Sequence, residues 1–348
     1  MDKKSLLKKI LVVVLSLCVI AAIALLDPNV SDIDMAFAQV QPLWLILALC
    51  SMIVSYIGDT LIYHSICKLM NVRQGFADSL LTTMIGFFYS ALTPFQSGGQ
   101  PMQIIQMRKR GIPVGTGTSV LSVKFLAWQL SMMLLATAGL FFLGDTVMGN
   151  GVSARTLLYV GYGLNALLML IILLALIRPG MILKAGDVVL AFLHRIKLIR
   201  HSEKYEKLCA GWENTISDYG HAVDFLLENK LRMIPMLLFG FLESFTYMLV
   251  TYCIYRGFGL SGYPLYHVVL LQALLTIAVS FVPLPGASVA SEGGFYLVFS
   301  QLFGMTIRFP AMLLWRALTY YLSILLGLGA VIIDGFRKNP PQAPEQEN

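Results

Sequence analysis

Residues 93–101 read TPFQSGGQP, and this polar run rich in Pro and Gly separates two apolar stretches. A second break, PLPG at residues 283–286, separates another pair of apolar stretches. Proline has no backbone N–H and its ring clashes with the preceding turn, so it kinks or ends a helix. The sequence therefore predicts two hairpins in place of straight helices. The predicted hairpin breaks are Pro94, Pro101, Pro283, Pro285 and Gly286.

The composition indicates a membrane protein. Hydrophobic residues make up 57% of the 348 residues and charged residues only 13%, whereas a soluble domain carries about 25% charged residues. Apolar segments are predicted at 10–26, 43–67, 76–93, 116–143, 157–177, 233–255, 265–282, 287–303 and 309–333. Most of them reach the length of about 17 residues that spans a hydrocarbon core. The predicted fold class is an all-α integral membrane protein, a polytopic helical bundle.

The N-terminus resembles a signal peptide, and the chain contains five cysteines. Four lysines within residues 3–9 precede the apolar run 10–26, as in a signal peptide, and AFA at 36–38 resembles a cleavage site. That site lies too far beyond the run, so residues 10–26 are expected to be a retained first helix. The five cysteines show no paired spacing, which favours buried apolar positions over disulfides or a metal site. No cofactor is expected.

Basic residues orient the segments, because cytoplasmic loops are enriched in Lys and Arg. The same rule accounts for the net charge of +6 without a nucleic-acid partner. If segment 76–93 crossed completely, RKR at 108–110 would lie outside, whereas a hairpin entering from the cytoplasm keeps it inside. RK at 337–338 places the C-terminus inside too. Segments 265–282 and 287–303 must then form a second hairpin that enters from the outer face.

This arrangement predicts an inverted repeat with two oppositely oriented re-entrant hairpins. One unit covers about residues 43–143 and the other about 233–333, within a single transmembrane domain of residues 1–338. Breaks at matching positions of two halves point to a transport site near the bilayer midplane. Loop 178–232 is expected to be cytoplasmic, either as an amphipathic surface helix or as a solvated connector. Residues 339–348 are expected to be disordered.

Ionisable residues at membrane depth are costly and are often functional. The candidates are Asp59, Lys124, Glu243, Glu292 and Arg316. Glu292 and Arg316 either form an ion pair that fixes the second hairpin, or form a site in which the arginine binds phosphate. Lys124 either snorkels to the cytoplasmic surface or belongs to a buried site. Asp59 and Glu243 occupy equivalent helices of the two units, which favours a site over coincidence. The expected role of Asp59, Lys124 and Glu243 is either coupling of transport or a buried charge.

The tip of the first hairpin offers hydrogen-bonding groups and no charge. Ser97, Gln100 and Gln103 supply side chains, and the backbone N–H groups around Gly98 and Gly99 resemble an anion cradle. The adjacent RKR run either anchors the topology or captures a headgroup from the inner leaflet. The sequence contains no phosphate loop of the ATPase type, no His/Cys metal constellation and no Ser/His/Asp set that stands out. ATP hydrolysis and hydrolase or redox chemistry are therefore not predicted.

With both hairpins in view, the sequence resembles the lysylphosphatidylglycerol synthase transmembrane (flippase) domain family, and its stand-alone members in particular. The resemblance covers about residues 5–335. The motifs that carry it are residues 93–103, 109–112 and 283–294, with Arg316 and Tyr320 in the last helix. Many family members have Glu where this chain has Gln100, so the resemblance carries no charge to that position.

The resemblance implies that the protein is a lipid translocase. In the full-length family enzymes a soluble domain makes lysyl-phosphatidylglycerol and the membrane domain exports it, which gives resistance to cationic antibiotics. The expected substrate is an anionic or aminoacylated phospholipid, or a lipid of the polyprenyl-phosphate type, in the cell membrane with both protein termini cytoplasmic. The residues expected to bind the headgroup are Ser97, Gly98, Gly99, Gln100, Gln103, Glu292, Arg316 and Tyr320.

Two alternatives remain at this point. One is an enzyme of the phosphatidylglycerol lysyltransferase type. It is disfavoured because the expected catalytic domain does not follow the membrane segments in this sequence. The other is a membrane scaffold for a separate lipid-modifying synthase, which is compatible with translocation.

Overall fold

A computed structural model of the chain describes most of the predicted membrane segments. The described residues are 18, 20–21, 23–25, 33–149, 151–195, 205–206, 208–214, 217, 220, 224, 228–280, 282 and 284–337. Most of the predicted first helix 10–26, the tail 339–348 and Pro283 lie outside them, as does part of the loop 178–232. Throughout the described ranges the chain is helix and turn, with no strand, which confirms the all-α prediction.

The helices are numbered in chain order. They are α1 (Ile33–Ala38), α2 (Pro42–Leu69), α3 (Phe76–Ala91), α4 (Gly99–Lys109), α5 (Val114–Phe142), α6 (Gly144–Gly149), α7 (Val152–Ile177), α8 (Pro179–Arg195), α9 (Ile234–Gly257), α10 (Leu265–Val279), α11 (Ala290–Val298), α12 (Met305–Arg316) and α13 (Leu322–Phe336). Helices α12 and α13 are joined by a π-helical turn, Ala317–Tyr321.

Five of the described helices are long and apolar enough to cross a membrane, which confirms a multi-pass protein. They cover Pro42–Leu69, Val114–Phe142, Val152–Ile171, Leu231–Gly257 and Met305–Phe336. Three helices are followed by a residue with a positive φ angle. Asn71, Gly111 and Gly259 take positive φ angles of 55°, 81° and 74° directly after helices. In each case the next N–H bonds back to a carbonyl in the last helical turn, as in a Schellman cap.

The four hairpin arms, α3, α4, α10 and α11, are shorter. The longest, α3, has 16 residues and rises about 24 Å at 1.5 Å per residue, less than the roughly 30 Å of a hydrocarbon core. The prediction of one segment over 287–303 is wrong in its extent. Helix α11 has only 9 residues, because the chain leaves helical geometry at Phe299 and turns until Gly304.

Helices of the first half pack against helices of the second half. Helices α2 and α9 pack along each other, α3 packs on α13, and α10 packs on α5. Glycines permit the last two approaches: a Cβ on Gly327 would lie 2.6 Å from Phe88 Cβ, and one on Gly139 would lie 3.0 Å from Leu274 Cδ1. Small residues allow such close approach between membrane helices. Each hairpin therefore packs against the final long helix of the opposite half.

Candidate functional site

A cavity of about 910 Å³ lies where the two hairpins meet. The turns of the two hairpins contact each other, and helices α2, α5, α7 and α9 and the π-helical turn also contribute to the wall. Four charged side chains line it, namely Asp59, Lys124, Glu243 and Arg316. The breaks predicted from Pro and Gly therefore lie beside the charges predicted to be buried.

The prolines and Gly286 shape the turns in the way the sequence indicated. Pro94 begins a 3₁₀ turn, and Pro101 lies in the first turn of α4, where an absent N–H breaks no helical hydrogen bond. Pro285 begins the corresponding 3₁₀ turn of the second hairpin. Gly286 has a φ of 59°, a left-handed conformation that glycine adopts without strain. Pro283 is outside the described residues.

Thr93 holds the first hairpin turn together. Its hydroxyl donates to the Tyr89 carbonyl at 2.8 Å and accepts the Gly98 N–H at 2.8 Å. Phe95 and Gln96 both take left-handed φ angles, 55° and 56°, which are uncommon for residues with a side chain. Packing in the surrounding structure must offset that cost, and strained backbone of this kind clusters at functional sites.

The predicted tip residues divide into two groups. Ser97 and Gln100 are exposed and line the cavity. The Ser97 hydroxyl donates to the Pro94 carbonyl at 2.9 Å, so its oxygen can accept from a ligand, and the Gln100 amide can donate to one. Gln103 is buried, and its amide donates to the Thr82 carbonyl at 3.2 Å, which joins the two arms. Gln103 also borders the cavity.

Gly98 and Gly99 lie against the first arm of the hairpin. A Cβ at Gly99 would approach Ser90 Oγ to 2.1 Å, and a Cβ at Gly98 would approach Thr93 Cγ2 to 2.6 Å. The Gly98 N–H already donates to Thr93, so this N–H could hold an anion only after that bond breaks. In the structure, Gly98 and Gly99 allow the two arms of the first hairpin to pack closely.

Arg316 and Glu292 form a buried ion pair. The Arg316 Nε donates to Glu292 Oε1 at 2.7 Å, and Nη2 lies 2.7 Å from the same oxygen. Nη2 also reaches the Gly286 carbonyl at 3.2 Å and Ser288 Oγ at 3.4 Å. Arg316 is 4% exposed and Glu292 0%. The pair thus fixes the second hairpin to the last helix while the arginine still borders the cavity.

Tyr320 links both hairpins. Its ring lies 4.5 Å below the Arg316 guanidinium, within cation–π range, and a Cβ on Gly286 would approach the ring to 2.1 Å. Its hydroxyl donates to the Ala91 carbonyl at the end of α3, at 3.1 Å. The π-helical turn that carries Tyr320 follows Arg316 directly. Such π bulges are rare and frequent at functional sites, and the sequence pattern gave no sign of this one.

Asp59 and Lys124 form a second pair across the cavity. Lys124 Nζ lies 2.6 Å from Asp59 Oδ2, with side chains 13% and 7% exposed. Lys124 is therefore engaged inside the bundle rather than extended to the surface. Helix α9 approaches α2 next to Asp59, since a Cβ on Gly58 would be 3.0 Å from Glu243 Cβ, and Glu243 lines the same cavity as the pair. The three predicted buried charges thus form one cluster.

A polar network that the sequence analysis did not single out borders the same cavity. Asn165 of α7 donates to the Ile277 carbonyl and to Ser280 Oγ, each at 2.9 Å. Its Oδ1 accepts from Gln129 Nε2 at 3.0 Å. The available signal was an Asn and a Gln within strongly apolar segments. Uncharged amides of this kind often serve only as interhelical hydrogen bonds.

Two residues of the basic run 108–110 form intramolecular ion pairs. Arg110 lies 3.1 Å from Asp78, which also pairs with Arg337. Lys109 lies 3.7 Å from Asp334 at the end of α13. The end of the first hairpin is therefore tied to the end of the last helix.

Comparisons with known proteins identify the family. The sequence matches the lysylphosphatidylglycerol synthase TM region family over residues 9–327. A UPF0104 membrane protein from Archaeoglobus fulgidus is 24% identical over 260 residues, which cover 74% of this chain and 76% of that protein. This chain is a multi-pass membrane protein that belongs to the lysylphosphatidylglycerol synthase TM region family.

Proposed function

We propose that the protein is a lipid translocase that carries a phosphate-containing headgroup through the cavity between the two hairpins. The observation that carries this proposal is a charged cavity of about 910 Å³ at the contact of two helix breaks. Cavities of roughly 300–1,000 Å³ hold small ligands. The outer faces of the surrounding helices are apolar and exposed, so lipid tails can stay in the bilayer while the headgroup passes.

Arg316 is the proposed phosphate ligand. Guanidinium groups bind phosphate through paired N–H bonds, and Arg316 lines the cavity. The hydrogen bonds described above use its Nε and Nη2, so a phosphate would bind through Nη1 or replace the contacts to Gly286 and Ser288. Ser97 and Gln100 on the opposite hairpin supply uncharged hydrogen bonds to the rest of the headgroup. Tyr320 would hold both turns in position, because it contacts Gly286 and the Ala91 carbonyl.

The hairpins are proposed to enter the membrane from opposite faces of the cell membrane, with both termini cytoplasmic. The short arms support this proposal, since none is long enough to span the core. Each hairpin rests on the last long helix of the other half. Rocking of one half against the other would open the cavity to each leaflet in turn. The substrate is proposed to be an anionic or aminoacylated phospholipid, or a polyprenyl phosphate.

The test is lipid translocation in proteoliposomes with labelled phosphatidylglycerol, lysyl-phosphatidylglycerol and polyprenyl phosphate. Arg316→Lys keeps the charge and removes the planar fork, so we expect translocation to fall at least about tenfold, the effect of losing about 1.4 kcal/mol. Arg308→Lys is the matched control. Arg308 lies two turns earlier on α12 and contacts the Ser300 carbonyl outside the cavity. Equal translocation by the two variants would overturn the role of Arg316.

A transporter, rather than an aminoacyltransferase, is proposed for this chain. Purified protein given labelled lysyl-tRNA and phosphatidylglycerol should release no lysyl-lipid. If no lipid in the panel moves while the protein remains folded, the scaffold alternative replaces translocation, and crosslinking to a separate synthase becomes the decisive measurement.

A further inference from the structure

The charges at the cavity do not balance. Among the residues that the structure describes, three carboxylates lie in its wall or directly behind it, and two cations do. The carboxylates are Asp59, Glu243 and Glu292, and the cations are Lys124 and Arg316. If all five were ionised, the site would hold one uncompensated negative charge.

The pairing of these groups shows which carboxylate is left over. Arg316 is bound to Glu292 and Lys124 to Asp59, at 2.7 and 2.6 Å. One oxygen of each carboxylate has no hydrogen-bond partner among the described residues, but Glu243, which is 5% exposed, is the one of the three without an ion pair there. An isolated ionised carboxylate away from bulk water is costly, and such a group instead takes up a proton.

The neighbours of Glu243 determine what happens when that proton leaves. The groups that interact with it electrostatically are Asp59 of α2 and Lys124 of α5. One turn along α9, Tyr247 lies within electrostatic range of both Glu243 and Arg316. Helix α10 also packs on α9, but its one histidine is in its first turn, at the opposite end from this cluster.

We propose that Glu243 carries a proton through the cavity, so that lipid translocation is coupled to proton movement. This inference rests on the proposed translocase function. In the release step, the Glu243 carboxylic acid transfers its proton to a water molecule in the cavity, which leaves a carboxylate and a hydronium ion. Lys124, which pairs with Asp59, also attracts the new carboxylate, and the site holds one net negative charge until a proton returns. Uptake of one proton from the other side restores the acid.

Coupling follows from the shared cavity. An ionised Glu243 repels a phosphate bound at Arg316, whereas a protonated Glu243 does not. The headgroup and the proton therefore enter together and cross in the same direction. For a headgroup with one negative charge the cycle is electroneutral, so the membrane potential has no effect on it. A pH difference of about one unit then supports about a tenfold lipid concentration difference between leaflets through one coupled proton.

The experiment measures translocation of the transported lipid in proteoliposomes with and without a pH gradient of one unit. Wild-type protein should accumulate the lipid about tenfold on the alkaline side. Glu243→Gln should still equilibrate the lipid but ignore the gradient. Asp145→Asn, an exposed acid in α6 outside the cavity, should behave as wild type. Uptake of protons on lipid addition, followed with a dye inside the vesicles, should accompany transport by the wild type and by Asp145→Asn but not by Glu243→Gln.

Two outcomes separate this inference from the proposed function. If wild-type protein moves lipid but the pH gradient has no effect, proton coupling is overturned and the translocase stands. If no lipid moves at all, the translocase itself fails. Infrared spectroscopy tests the proposal without a transport assay. The difference between the wild-type and Glu243→Gln spectra should show the C=O band of a protonated carboxylic acid at neutral pH. Absence of that band would also overturn the proposal. The pH-gradient experiment on wild-type protein remains a valid test even if Glu243→Gln does not fold.

Discussion

The ion pair between Arg316 and Glu292 should dominate the stability of the second hairpin. Replacing Arg316 by Met keeps most of the side-chain volume but leaves the fully buried Glu292 carboxylate without its partner. Removing one member of a buried pair costs about 3–5 kcal/mol, because the remaining charge is uncompensated. Glu292→Gln should cost a similar amount, since the guanidinium keeps only the neutral acceptors of Gly286 and Ser288.

The double variant separates pairing from packing. With Glu292→Gln and Arg316→Met together, no buried charge is left at this position, so the loss should be no larger than that of either single variant. The resulting coupling energy is about 3 kcal/mol or more. Unfolding by denaturant in mild detergent, followed by tryptophan fluorescence, provides the measurement, and Trp315 lies beside the pair. Losses that simply add would refute the reasoning, because they would show that the two charges do not stabilise each other.

Further predictions concern the first hairpin and the second ion pair. Gly99→Ala should destabilise the protein by about 1–3 kcal/mol through overpacking, because its Cβ would approach Ser90 Oγ to 2.1 Å. Gly293→Ala, where no atom lies within 4 Å of the added Cβ, should change the unfolding midpoint little. Lys124→Met should cost about 3–5 kcal/mol because Asp59 loses its partner, and the additional replacement Asp59→Asn should recover most of that loss. An unchanged unfolding midpoint in Lys124→Met would argue that the pair is solvated.

The sequence predicted the features that depend on local chemistry. Apolar segments of membrane length gave the positions of α2, α5, α7 and α9, because hydropathy is a property of each segment by itself. The breaks at Pro94 and Gly286 were predictable because proline and glycine act on their own backbone. The same local reasoning placed Arg316 and Glu292 in buried positions, since an ionisable residue stands out within an apolar run.

The tertiary structure alone decided which groups meet. Lys124 pairs with Asp59 across two helices, and no periodicity within one helix predicts a partner on another. Tyr320 contacts both hairpins only because the π-helical turn directs its ring onto Gly286 and its hydroxyl to Ala91. Tertiary packing also decides that Glu243 is the cavity carboxylate without a cationic partner among the described residues. Whether a buried charge is paired depends on the packing of several helices, and a linear sequence specifies that packing only through the complete fold.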